Sequence, residues 1–256
     1  IDALVVCGTT GEASTLSHIE KTQLVKFSVD LTDGRVPIIA GAGANSTSEA
    51  VCLAKDMEDA GADGLLIVTP YYNKCTDSGL IAHYETIADK VSIPIIMYSV
   101  ASRTGVNISP RIVKILSDHP NITGIKEASG NISQICEIAA CVSDTFSLYS
   151  GNDDQTVPVL SLGGLGCIST VSNIIPARFS AMIHQYLNGQ CKAAGKEQVA
   201  LKPLIDAIFM EVNPVPVKAA LSMMGMCSAE YRLPMCPPTN KTQYLLYDTL
   251  KEFGLV

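Results

Sequence analysis

Seven short apolar runs rich in β-branched residues recur along the 256-residue chain, their starts about 20 to 35 residues apart. They cover residues 3–7, 37–40, 64–69, 94–98, 122–126, 146–149 and 166–170. Helical patterns lie between them. Strands separated by helix-length crossovers pair in parallel, and parallel strands covered on both faces read as continuous apolar runs. Beyond Asn173 the strand signals stop and helical segments follow over 176–187, 192–211, 215–224 and 241–253. This pattern predicts an α/β fold, a (β/α)8 TIM barrel whose body is residues 1–175. Residues 176–256 would supply the last barrel helix and a C-terminal helical extension. Seven units are one short of eight, so the first βα unit is expected to be missing from the sequence. An open, doubly wound sheet is the alternative.

Local signals mark helix ends. Ser46 or Ser48 is expected to cap the helix that runs to Gly61, with Glu49 in its first turn completing a capping box. Ser109 and Pro110 open another, and Pro120 lies past its end. The glycine turns do not support a nucleotide-binding sheet. "G-A-G-A-N-S" at 41–46 lacks the third glycine of the dinucleotide fingerprint, and "G-T-T-G-E" at 8–12 lacks the Gly-Lys-Ser/Thr ending of a P-loop.

Hydrophobic residues make up 47% of the chain and charged ones 17%, which supports a large core rather than disorder. The net charge of −7, with no block of Lys and Arg, argues against nucleic acid. Nine cysteines without a C-x-x-C pair, and four scattered histidines, lend little support to a zinc site or a disulfide framework. Reduced thiols in a cytoplasmic protein are expected. Residues 158–175 are too polar to span a membrane.

Polar residues gather where strands end, which is where the chemistry of an α/β barrel sits. Thr9 and Thr10 follow the first strand, Tyr71 and Tyr72 the third, Tyr98 and Lys126 end the fourth and fifth, and Gly151 follows the sixth. Each has a plain structural reading: a core tyrosine with one partner, a threonine turn, a lysine that reaches the rim along its stem. Lys126 resists it most. By a two-residue period it shares a face with Ile122, Gly124 and Ala128 and is expected to point inward, with Glu127 on the opposite face. Burial favours the neutral amine, a nucleophile that forms a Schiff base with a carbonyl. The iminium is an electron sink, and Tyr98, one strand away, could shuttle the proton that enamine formation releases.

"G-T-T-G-E" at 8–12, "V-T-P-Y-Y-N" at 68–73, "Y-S-V-A-S-R-T-G" at 98–105, "G-I-K-E-A-S-G" at 124–130 and "N-P-V-P-V-K" at 213–218, in this order and spacing, resemble the dihydrodipicolinate synthase / N-acetylneuraminate lyase family. The resemblance runs the length of the chain. It implies that Lys126 forms the Schiff base with pyruvate and that Tyr98 relays protons through Thr9 and Tyr72, the last reaching from a neighbouring subunit. It further implies that Thr10 binds the pyruvate carboxylate and that Gly151 and Ile168 line the pocket. Arg103 would hold the carboxylate of the incoming aldehyde and so favours the synthase branch, which joins pyruvate to aspartate semialdehyde on the way to diaminopimelate and lysine. No metal or organic cofactor is implied. A homotetramer, a dimer of dimers, is. The alternatives are another pyruvate aldolase on the same scaffold, or an inactive barrel.

Two departures from the family pattern stand out. Ser99 and Ala101 replace Asn and Pro before Arg103, which is expected to loosen that loop. His18, Asn45, Glu49 and Tyr71 match a lysine-effector site, but Ala13 and Lys21 replace polar and histidine residues there. The Lys21 ammonium would oppose a bound lysine, so weak or absent inhibition is expected.

Overall fold

The computed structural model describes all residues, Ile1–Val256. The seven expected strands are the seven observed: β1 Leu4–Val6, β2 Ile38–Gly41, β3 Gly64–Val68, β4 Ile95–Ser99, β5 Ile122–Glu127, β6 Ser147–Ser150 and β7 Gly166–Cys167. They form one all-parallel sheet in the order β1-β2-β3-β4-β5-β6-β7. A doubly wound sheet reverses direction at a switch point. This one does not, which removes the open-sheet alternative. The expectation of a missing first βα unit finds no support in the sheet.

The chain divides into two compact units. The first, residues 1–8 and 16–168, holds the sheet and its crossover helices: α1 His18–Thr32, α2 Thr47–Asp59, α3 Asp77–Ala88, α4 Ala101–Thr104, α5 Pro110–Leu116, α6 Ile132–Ala139 and α7 Thr156–Ser161. One face of the sheet is sealed under these helices by Ile38, Ala40, Leu65, Ile67, Ile95, Met97, Ile125 and Leu148, all essentially inaccessible. On the other face Val5, Ile39, Val68, Ile96 and Ile168 are partly buried and pack around Leu66, Tyr98, Val100 and Ala128.

The second unit, residues 9–15 and 169–256, is helical: α8 Pro176–Leu187, α9 Cys191–Ile208, α10 Val215–Met223 and α11 Asn240–Glu252. These helices fall within a few residues of their sequence-based bounds.

Three local expectations need correction. Ser46 is the N-cap of α2, but its side chain makes no capping bond. Its hydroxyl instead lies 3.0 Å from that of Ser48. The capping box occurs at α1, where Ser17 accepts from Glu20 N and the Glu20 carboxylate accepts from Ser17 N. Finally, the register shifts between Ile95 and Ile96: Ile122 pairs with Ile95, but Gly124 pairs with Ile96. Thr123 is thus an extra residue, and the strict two-residue period fails between Ile122 and Gly124.

Candidate active site

Beyond that irregularity β4 and β5 run in step. Tyr98 pairs with Lys126 and Ser99 with Glu127, and on the other side Tyr149 of β6 pairs with Lys126. Residues paired across parallel strands present their side chains to the same face, so Lys126 is flanked by two tyrosines. Its Nζ stands 4.4 Å from the centroid of the Tyr98 ring. An ammonium over an aromatic face gains about 0.5–2 kcal/mol. Lys126 is half-buried rather than sealed, because the facing positions of the sheet are themselves only partly covered.

Space beside the lysine comes from Gly151. A Cβ there would lie 2.6 Å from Ala128 Cβ and 3.2 Å from Lys126 Cε. Its N–H donates to the Glu127 carbonyl at 2.7 Å, tying the end of β6 to β5. Gly124 serves a different need: a Cβ there would meet Ser147 O at 2.8 Å. Ile168 N donates to Ser150 O at 2.9 Å, and its side chain packs on the Tyr98 cluster.

The sealed charge in this strand is Glu127, 0% exposed. It faces away from Lys126, as the period predicts. Burial pushes its carboxyl up, against hydrogen bonds from Ser129, Gln134 and Ser99 that hold it down. Ser129 N donates to Oε1 at 2.7 Å, and Gln134 Nε2 to Oε2 at 3.4 Å. Gln134 also exchanges two bonds, 2.8 and 3.1 Å, with the Asn107 amide. A buried carboxyl persists only with such partners. They come from β4, the turn after β5 and α6, with Asn107, before α5, holding Gln134 in turn, a convergence no sequence spacing announces.

Arg103 lies exposed on α4, the four-residue helix that follows β4. Ala101 opens this helix. Buried Thr104 anchors it: its hydroxyl accepts from Thr69 Oγ1 at 2.9 Å and from Val106 N at 3.2 Å, and lies 3.0 Å from Val106 O. Tyr71 is half-exposed. Tyr72 is 90% exposed, with φ +74° in the left-handed region that few non-glycine residues adopt. It is not packed against Tyr98 or Lys126.

In the second unit, Thr10 Oγ1 accepts from Asn213 Nδ2 at 3.0 Å and lies 3.3 Å from Thr170 Oγ1. Glu12 pairs with Lys218 at 2.8 Å, and Lys218 Nζ also lies 5.5 Å from the Tyr231 ring centroid. "G-T-T-G-E" and "N-P-V-P-V-K", some 200 residues apart in sequence, therefore interlock through named side chains. Thr9 turns the segment by accepting at its carbonyl from Glu12 N, 3.1 Å away.

Of the residues expected to match a lysine-effector site, His18 contacts Asp56 through Nε2 and faces Glu49 through Nδ1 at 3.7 Å. Asn45 O accepts from Asn73 Nδ2 at 2.8 Å. A recess of about 330 Å³ lies at the other ends of the strands, lined by Ile96, Pro120, Thr123, Asp144, Thr145, Ser147 and Tyr149. It offers no amine nucleophile and is not the candidate site.

An amine and a phenol held abreast at the C-terminal ends of parallel strands define a site for imine chemistry on a small carbonyl compound. The Dihydrodipicolinate synthetase family model matches residues 1–253, and the chain belongs to that family. It is 52% identical over 254 residues to 4-hydroxy-tetrahydrodipicolinate synthase of Caldicellulosiruptor saccharolyticus, covering 99% of this chain and 86% of that one. With the synthase of a Thermoanaerobacter species it shares 48% over 256 residues, covering 100% and 86%. The crystal structure of dihydrodipicolinate synthase from Thermotoga maritima superposes with a TM-score of 0.98 at 42% identity, covering 100% of this chain and 88% of that chain. No helix is long and apolar enough to cross a membrane.

Proposed function

We propose that this chain condenses pyruvate with (S)-aspartate 4-semialdehyde to 4-hydroxy-tetrahydrodipicolinate, the first committed step toward diaminopimelate and lysine. The observation that carries the reading is Lys126 beside Tyr98, 4.4 Å from amine to ring, in a chain 52% identical to a synthase of that name.

The Lys126 amine attacks the keto carbon of pyruvate, and water leaves to give an iminium. The adjacent methyl loses a proton to become an enamine. Its carbon attacks the aldehyde, and the new alkoxide takes a proton. The amino group of the second substrate then attacks the iminium carbon, closes the ring and expels Lys126. Tyr98 carries protons in these steps, with Thr9 and a partner subunit's copy of Tyr72 completing the relay. Thr10 binds the pyruvate carboxylate, and Arg103 that of the aldehyde through its planar fork of donors. Gly151 and Ile168 shape the pocket. The lysine supplies the electron sink, so the chemistry calls for no metal or organic cofactor.

Two readings extend this. The sheet is the wall of a (β/α)8 barrel, supported by seven parallel strands in unbroken order. The tail from residue 176 supplies the last barrel helix and the extension. The enzyme works in the cytoplasm as a homotetramer of paired dimers; the exposed Tyr72 supports a partner-facing role.

Borohydride reduction with pyruvate tests the core of the proposal. Intact mass should rise by one pyruvate-derived adduct, located on the Lys126 peptide; folded protein without the adduct refutes it. Offering sialic acid in place of aspartate semialdehyde should give no turnover. Lysine should inhibit weakly or not at all, and micromolar inhibition would reject the role given to Lys21.

A further inference from the structure

We propose that His18, Cys52 and Asp56 form a site for a divalent transition metal of the zinc–cobalt class, joining α1 to α2, with Glu49 orienting the histidine. The proposal does not rest on the synthase reading, although His18 and Glu49 are also among the residues expected to match a lysine-effector site.

Glu49, Cys52 and Asp56 are spaced i, i+3 and i+7 on α2 and so share one face of that helix. His18, the first residue of α1, is fixed by the Ser17–Glu20 capping box. The donor atoms of His18, Cys52 and Asp56 all lie within 4.8 Å of one another. Cys52 Sγ is 4.0 Å from Asp56 Oδ2. In a tetrahedral zinc centre, with Zn–S about 2.3 Å and Zn–O about 2.0 Å, that edge is about 3.5 Å. His18 Nε2 already touches Asp56 Oδ2, so these two must part by roughly 1 Å to admit an ion at ordinary ligand distances. Both side chains are partly exposed, and rotation can supply that shift.

The histidine is presented the right way round. Its Nδ1 faces Glu49 Oε1 at 3.7 Å. When a metal binds, that carboxylate can hold a proton on Nδ1 while Nε2, parted from Asp56, gives its lone pair to the ion, the carboxylate–histidine–metal arrangement. One sulfur, one imidazole nitrogen and one carboxylate oxygen suit zinc or cobalt rather than magnesium or calcium, which prefer oxygen alone. Three protein donors leave a fourth position for water. On binding, the Cys52 thiol and the His18–Asp56 pair each release a proton to buffer as the metal–sulfur and metal–nitrogen bonds form. Nothing is oxidised or reduced.

The test uses the full chain, reduced and stripped with chelator, then titrated with Co²⁺ under anaerobic conditions. One equivalent should bind, with a near-ultraviolet sulfur-to-cobalt band and the strong visible bands of a four-coordinate ion; Zn²⁺ should abolish both. Cys52→Ser should remove the sulfur band. Glu49→Gln should weaken binding by about 10–100-fold, and His18→Ala by more. In the wild-type chain, Zn²⁺ should shield Cys52 from alkylation while exposed Cys136, Cys191, Cys227 and Cys236 still react. Absence of a sulfur band, a band that persists in Cys52→Ser, or alkylation of Cys52 undiminished by Zn²⁺ would overturn the proposal.

Discussion

The two faces of β5 treat charge in opposite ways. On one, Lys126 stays half-exposed, with an aromatic ring at 4.4 Å and a glycine keeping its flank clear. On the other, one residue along, Glu127 is sealed and surrounded by donors from three elements. The contrast separates a group that must react from a group that must hold still. A nucleophile needs access and room for a substrate. A carboxyl fixed by several donors on the helix side clamps the backbone that carries the nucleophile.

Substitutions can break this contrast, and their expected effects fall in order. Lys126→Ala should abolish both turnover and the borohydride adduct while leaving the fold intact by circular dichroism; residual turnover would move the nucleophile elsewhere. Tyr98→Phe should lower kcat by about 10²–10⁴-fold, the range for a positioned acid–base group, with the adduct still forming slowly. Unchanged kcat would reduce Tyr98 to packing. Gly151→Ala pushes a methyl toward Ala128 and Lys126. It should cost about 1–3 kcal/mol in urea unfolding, as overpacking does, and raise KM for pyruvate. A variant as stable and as active as the wild type would show that the flank of Lys126 is looser than drawn.

Glu127→Gln should have the smallest catalytic effect, less than about tenfold in kcat, because it displaces no reacting atom by the roughly 1 Å that costs about 10²-fold. Its signature lies in stability against pH. Burial raises the native carboxyl above its unfolded value, so the native state holds the proton more firmly. That stabilisation is complete below the unfolded value, near 4.5, and is lost as pH rises through the native one. Glutamine cannot ionise. The variant should therefore gain on the wild type in thermal midpoint as pH rises above 4.5, and a difference that stays constant as pH rises would show that burial does not govern this group.

Much of the fold was legible because β-branched runs and helix periodicity are local. All seven strands lay where apolar runs stood, and the tail helices fell within a few residues. Residues 166–170 illustrate the limit: only Gly166 and Cys167 make a strand before the chain turns into a 3-10 helix at Val171–Asn173. The capping pattern S-x-x-E at Ser17 was as readable as the one at Ser46, yet only the structure shows which serine turns its oxygen onto the helix. For the site, the two-residue period gave the side of the sheet for Lys126 and Glu127 but not their depth. Depth depends on what covers each face. Gln134, Asn107 and Thr104 matter through convergence in space, and their sequence positions carry no mark of it.

The bonds from Asn213 to Thr10 and from Lys218 to Glu12 have a further consequence for how this chain tolerates cutting. The loop after the first strand belongs, by its contacts, with a tail synthesised about 200 residues later. During synthesis it waits without those partners until the ribosome has nearly finished. A stop codon anywhere before residue 213 would therefore be, in effect, a lesion at residue 10.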